Sequence, residues 1–486
     1  MTASGLLLDA GTLSRRIAAR EVSCRALMQA ALDRIAALNP TYNAIVSLRE
    51  PEALLAEADA CDAQLARGEA TGWMHGFPIA VKDLSDAVGL PTTLGSLTTG
   101  QRMPAADALF VQRMKRAGAI VIGKTNTPEF GLGSHTYNAV FGITRNAWDP
   151  SRSAGGSSGG AAVALALGMV PVADGSDMGG SLRNPAAFNH IVGFRPSRGR
   201  VPAVPAEDAF FQQLGTEGPM GRTTEDVARL LGTLAGWDAR APLSLAESLP
   251  DPAGVDPIVV APGRRIGWLG SVWPDLPLEP GIRELCEAAL RKLQAQGYAV
   301  EPCTLDVPRE ANWTAWLRLR QMLVGGKLGA TYAQPQLRSL MKPEAQWEVE
   351  QSFQLTAAQL YQATVQRTAV YHAFRRLFER FDYVVAPTAQ VFPFAAEQHW
   401  PREVAGVAMD TYHRWMEIVT PFTLAGLPVA SVPVGFNDRG LPMGLQIAGP
   451  ARADLPVLAL ARAWEAIAPW HRERPPVLAS SEVISR

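Results

Sequence analysis

Lysine is scarce in this chain of 486 residues: only six lysines stand among its 45 basic residues, so few amines are on hand for chemistry. Cysteine is scarcer. Cys24, Cys61, Cys286 and Cys303 form no CxxC pair and no metal-ligand spacing, which argues against a disulfide framework and fits a reducing compartment. Excess charge is lacking too: 45 basic and 46 acidic residues leave a net charge of −1, giving no field to attract nucleic acid or an anionic membrane. The longest uncharged apolar stretch, 159–173, falls short of the roughly 20 residues a membrane helix needs, and Pro171 interrupts it. Met1 to Arg16 lacks the basic start and apolar run of a signal peptide, so the expected location is the cytoplasm, with no membrane partner.

What is present is an ordinary globular composition, 47% hydrophobic and 19% charged. Residues 22–38 repeat Leu27, Ala31, Ile35 and Leu38 on one helical face, with Ser23 as the expected N-cap, and a second helix is expected near 53–67. Short strands then alternate with helices: strands at 77–81, 119–122 and 170–173, helices at 108–116 and 158–167. Beyond a Pro-, Ala- and Asp-rich stretch come strands at 265–269, 383–386, 429–434 and 443–447, and helices at 282–296, 310–333 and 353–381. This alternation predicts an α/β fold, its sheet covered by helices on both faces. Apolar strands occur on both sides of the connector, so one large domain is expected over 1–486. Its parts are a helical segment 1–70, a core 71–236, the connector 237–262 and a C-terminal part 263–486.

The chemistry-bearing signal lies in 153–187. Two serines, Ser157 and Ser181, stand 24 residues apart, each on a glycine-framed turn. Glycine lets the backbone approach other groups closely, and this pattern reads as exposing both serines for chemistry. A serine hydroxyl is a weak nucleophile without a base. None of the seven histidines has an α/β-hydrolase setting, and His75 and His190, the two near the glycine-rich turns, read as turn or packing residues. Two lysines end apolar strands, Lys82 and Lys124. Burial could lower either from its usual pKa of about 10.4 and make it a base. Equally, either could pair with a carboxylate such as Asp83 or Glu129, and residue chemistry does not choose between them.

The chain resembles the amidase signature family over almost its whole length. The resemblance rests on Gly76-Phe-Pro-Ile-Ala-Val-Lys-Asp, on Gly123-Lys-Thr-Asn-Thr-Pro-Glu-Phe-Gly131 and on the long signature Gly155–Pro185. It continues through Ala425-Gly-Leu-Pro-Val-Ala-Ser-Val-Pro433 and Gly440-Leu-Pro-Met-Gly-Leu-Gln-Ile447. It implies one large fold around a mixed twisted β-sheet. It also implies a Ser-cisSer-Lys triad, in which the base lysine precedes the first serine by 75 residues, which selects Lys82. Ser181 then matches the nucleophile and Ser157 the bridging serine on a cis peptide bond. The backbone amides of Met178, Gly179, Gly180 and Ser181 match the oxyanion hole. Asp177 and Arg183 match residues that support the loop, and Gly131 a carbonyl facing the substrate amide, with Phe130 a candidate lining residue. Ser176 stands where many members carry threonine. No metal and no organic cofactor are implied.

The resemblance implies an amidohydrolase acting on a small-molecule amide. The Trp- and Phe-rich region 310–420 points to an apolar or aryl substrate, with esters and carbamates open to the same chemistry, and an apolar face there would support a homodimer. The nearest alternative is the glutamine-hydrolysing component of the tRNA-dependent amidotransferases, which releases ammonia from glutamine. Nucleotide binding at Gly155–Gly160 is disfavoured because no Lys-Ser/Thr pair closes that loop.

Overall fold

A computed structural model describes residues 3–211, 214–249 and 263–482. Positions 250–262 of the connector lie outside the described residues. The main sheet has eight strands, in the order Ala299–Pro302, Arg265–Trp268, Tyr383–Pro387, Pro442–Ala448, Val429–Phe436, Val192–Arg195, Thr216–Gly221 and Ala173–Asp177. The first three pair in parallel and all later neighbours antiparallel, so the sheet is mixed. Helices flank it: Arg183–Asn189 lies against the central strands, as do Ile282–Ala295 and Asp454–Ile467. The architecture is α/β, as expected. A smaller sheet orders Ile45–Val46, Ile120–Thr125 and Pro78–Lys82, and its Pro78–Lys82 strand packs beside Ala173–Asp177. No helix among the described residues is long and apolar enough to cross a membrane.

Local signals account for most boundaries. Ser23 accepts the backbone N–H of Ala26 at 3.0 Å and starts a helix that runs Cys24–Tyr42, ending at Asn43 in the left-handed region. Two expectations need correction. The strand expected at 170–173 runs instead over Ala173–Asp177, because pairing with Thr216–Gly221 begins only at Ala173. Its polar residues bond outside the strand, Asp174 to the backbone N–H of Lys82, Ser176 to the Lys82 amine and Asp177 to Arg183, which apolar patterning does not reveal. The helix expected at 353–381 starts at Ala357, where Thr356 and Gln359 form a capping box. Phe353 instead ends the preceding helix, Pro343–Ser352, and is exposed.

One apolar cluster draws on residues from Leu6 to Leu478. A second gathers Trp313 and Trp316 of the helix Arg309–Tyr332 with Trp415, Met416 and Phe422. Full burial of a side chain such as Phe422 contributes about 2–3 kcal/mol. This second cluster forms the rigid wall against which the serine loop is laid.

Candidate active site

Lys82 is the last residue of its strand, opposite Thr125 of the neighbouring parallel strand, and is wholly buried. Ser157 follows a cis Gly156–Ser157 peptide bond, two residues before the helix Gly159–Ala166. Gly156 has no room for a side chain, since a Cβ there would lie 2.9 Å from the backbone nitrogen of His135. The lysine Nζ lies 2.8 Å from Ser157 Oγ, 2.9 Å from Ser158 Oγ and 3.0 Å from Ser176 Oγ. All three partners are neutral, and the lysine is in no ion pair among the described residues. Burial pushes its pKa down to about 8, against the pull of Glu217, Asp174 and Asp177 toward the charged form. Lowered in this way, the lysine is neutral in a larger fraction of molecules near pH 7 than an ordinary lysine is.

Ser181 sits in the loop between the strand Ala173–Asp177 and the helix Arg183–Asn189, and its carbonyl accepts the Ser158 N–H at 3.3 Å. The loop is held from below by Asp177, whose carboxylate accepts Gly180 N–H at 2.9 Å and Leu182 N–H at 3.2 Å. The same carboxylate takes Arg183 Nη2 at 2.9 Å and Arg195 Nη1 at 3.3 Å. Burial opposes the charge on Asp177, but Arg183 and Arg195 outweigh it and hold the carboxyl well below the usual range. Gly180 adopts φ 93°, a left-handed conformation that suits glycine. Its N–H is thus turned to Asp177 and away from the pocket. Among the described residues, the amide hydrogens of Gly179 and Ser181 meet no protein acceptor, which leaves them available to a substrate oxygen. Ser181 Oγ and Ser157 Oγ are not hydrogen-bonded in this geometry; such contacts often tighten only with substrate bound.

Both serines are buried, 3% and 7% exposed, so the expected exposure is not found. The glycines serve close approach instead. Gly131 (φ 70°) runs beside Ser157, where a Cβ would lie 3.5 Å from its Oγ. Phe130 packs against a small cluster built on Leu132, Val324 and Leu328. Lys124 is tied to Ser85 O, Thr92 Oγ1 and Asp83, the carboxylate pairing considered for it. His75 bonds to Cys61 O and Thr71, and His190 stacks on Phe436.

Several groups were not singled out from the sequence. Ser158 was within reach of inspection, since it follows Ser157 in the same turn, but nothing in a serine pair tells which member faces a base. Arg195 left no local signal, because it reaches the loop from a separate strand, whereas Trp316 lies in the Trp- and Phe-rich region 310–420 expected to face the substrate. Trp316 Nε1 donates to Met178 O at 3.2 Å, and Gly179 lies against Trp316 and Met416. Arg320 approaches the Met178 sulfur but is bound to Glu348 at 2.6 Å and to Tyr412 Oη at 2.8 Å. The wall over the loop is therefore thioether and indole. A cavity nearby is lined by Leu132, Tyr137, Lys342, Trp400, Tyr412 and Trp415. Among the described residues, no group of three or more His, Cys, Asp or Glu side chains converges as a metal site.

A serine loop with free amides, a buried lysine facing hydroxyls and a mixed sheet between helices define an amide-hydrolysing enzyme class. The family model described as Amidase matches residues 26–458, and the chain belongs to the amidase signature family. It is 34% identical to a glutamyl-tRNA(Gln) amidotransferase subunit of Thermosynechococcus vestitus, covering 95% of this chain and 98% of that protein. Its fold matches a bacterial aryl acylamidase of the amidase signature family with TM-score 0.89 and 30% identity, over 95% of this chain and 96% of that one. It matches the corresponding glutamyl-tRNA(Gln) amidotransferase subunit of Thermotoga maritima with TM-score 0.73 and 28% identity, over 92% and 94%.

Proposed function

We propose that the chain is an amidohydrolase that cleaves a small carboxylic amide, apolar or aryl in character, through an acyl-enzyme on Ser181. The observation that carries this reading is the buried Lys82 amine, 2.8 Å from Ser157 Oγ with only neutral partners. Neutral Lys82 takes the proton of Ser157, Ser157 takes that of Ser181, and Ser181 Oγ attacks the amide carbonyl. The oxyanion is met by the N–H groups of Gly179 and Ser181 in the Met178–Ser181 loop, while Gly180 shapes the turn. Ser157 then passes its proton to the leaving amine, and water releases the acyl group by the reverse relay. Asp177, Arg183 and Arg195 hold the loop. Gly131 faces the substrate amide.

The wall of Met178, Trp316 and Met416 and the closer fold match to the aryl acylamidase support an apolar substrate. A second reading, hydrolysis of glutamine as one component of an amidotransferase, is favoured by the curated relatives, one of them 36% identical over 95% of the chain. A panel of anilides, aliphatic amides, esters, carbamates and L-glutamine, given to the purified chain alone, separates the two. Anilide turnover without other subunits supports the first reading. Ammonia release from glutamine, confined to the presence of partner subunits, supports the second.

A further inference from the structure

Glu217 lies directly across from Ser176 in the antiparallel pairing of Thr216–Gly221 with Ala173–Asp177. Residues paired in this way point to the same face of a sheet, with Cβ atoms about 5 Å apart. Ser176 Oγ bonds to Lys82 Nζ at 3.0 Å, so this face is the one that the lysine tip enters. The Glu217 carboxyl therefore stands beside the base, close enough for the two charges to couple, yet outside ion-pairing distance. Its Oε2 is buried and has no hydrogen-bond partner among the described residues.

The charged groups around the pair come from three elements: Lys82 itself, Asp174 and Asp177 from the paired strand, and Lys327 from the helix Arg309–Tyr332. Asp177 is committed to Arg183 and Arg195. Asp174 uses Oδ2 to accept the backbone N–H of Lys82 at 3.2 Å, and among the described residues its Oδ1 is buried without a partner. Glu217 differs in standing across from the serine that the lysine bonds, with a buried oxygen that has no partner among the described residues, an arrangement that opposes folding and so calls for a use.

We propose that Glu217 is a positioning residue of the relay, its carboxyl sharing with Lys82 the proton that the base must shed. This inference rests on the reading of Lys82 as base. Burial drives Glu217 up from the ordinary carboxyl range and Lys82 down, so the two approach each other and titrate as a pair. While Glu217 is ionised, its charge holds Lys82 as an ammonium that cannot accept from Ser157. When the pair's single proton sits on Glu217, the lysine is neutral and competent. Removing the carboxylate charge therefore lowers the pH at which Lys82 becomes a base.

The test is the pH dependence of Ser181 labelling by a fluorophosphonate, in the wild type and in Lys82→Ala, Glu217→Gln and Glu217→Met. The expected result is an acid limb in the wild type that is absent in Lys82→Ala. In the Glu217 variants this limb moves to lower pH by about half to one unit, equivalent to about three- to tenfold faster labelling below it. A limb that stays in place or moves upward in a folded Glu217 variant overturns the inference alone. A wild-type limb that survives in Lys82→Ala overturns the assignment of the base, and the inference with it.

Discussion

Lys82 and Lys124 lie at the ends of two adjacent parallel strands, Val81 opposite Lys124 and Lys82 opposite Thr125, and both are fully buried. Their surroundings diverge. Lys124 meets Asp83 at 3.4 Å, Thr92 and the carbonyl of Ser85, which secure an ammonium. Lys82 meets three hydroxyls, while the carboxylates that act on it stay beyond ion-pairing distance. Burial lowers the pKa of both lysines, and Asp83 pulls that of Lys124 back. Burial alone therefore does not make a base. The identity of the partner decides whether a buried lysine serves chemistry or architecture.

Replacing each lysine in turn carries the largest expected effects. Lys82→Ala is expected to reduce kcat by about 10³ or more, near the upper range for loss of a general base, with unchanged circular dichroism. Lys124→Met is expected to leave Asp83 as an uncompensated buried charge at a cost of about 3–5 kcal/mol, read as a lower Tm, with kcat per folded molecule close to wild type. A Lys124 variant that folds normally and loses turnover would reverse the assignment of roles.

The next effect concerns the loop. A Cβ on Gly179 would lie 2.8 Å from Trp316 Cζ2, so Gly179→Ala must shift either the indole or the amide. Displacing one oxyanion donor lowers kcat by about 10²–10³, and this variant should do so with little change in KM. A smaller effect appears in the pH profile. The base must be neutral, so kcat/KM is expected to rise with pH through about 8, the value to which burial lowers Lys82. A profile flat from pH 6 to 9 would remove Lys82 from the rate-determining relay.

Much of this was legible in the residues. Alternating strands and helices gave the α/β class, and the glycine-framed serines marked the loop. The choice between Lys82 and Lys124 was not legible from local chemistry, because each ends an apolar strand. Only the side chains that folding delivers from elsewhere distinguish them: Ser176 from the edge of the main sheet, Asp83 from the turn after Lys82. Arg195 was missed for the same reason. The polar strand Ala173–Asp177 defied patterning because its Asp174, Ser176 and Asp177 side chains bond to Lys82, Arg183 and Arg195 across the sequence. Phe353 was misplaced because the capping box at Thr356 starts a new helix beyond it.

The central claim is that Ser181 takes the acyl group and Ser157 only carries its proton. Labelling the purified chain with a fluorophosphonate and mapping the adduct by peptide mass spectrometry tests it most directly. A single adduct on Ser181 is expected, absent from Ser181→Ala and strongly slowed in Ser157→Ala. An adduct on Ser157, or one that persists in Ser181→Ala, would contradict it.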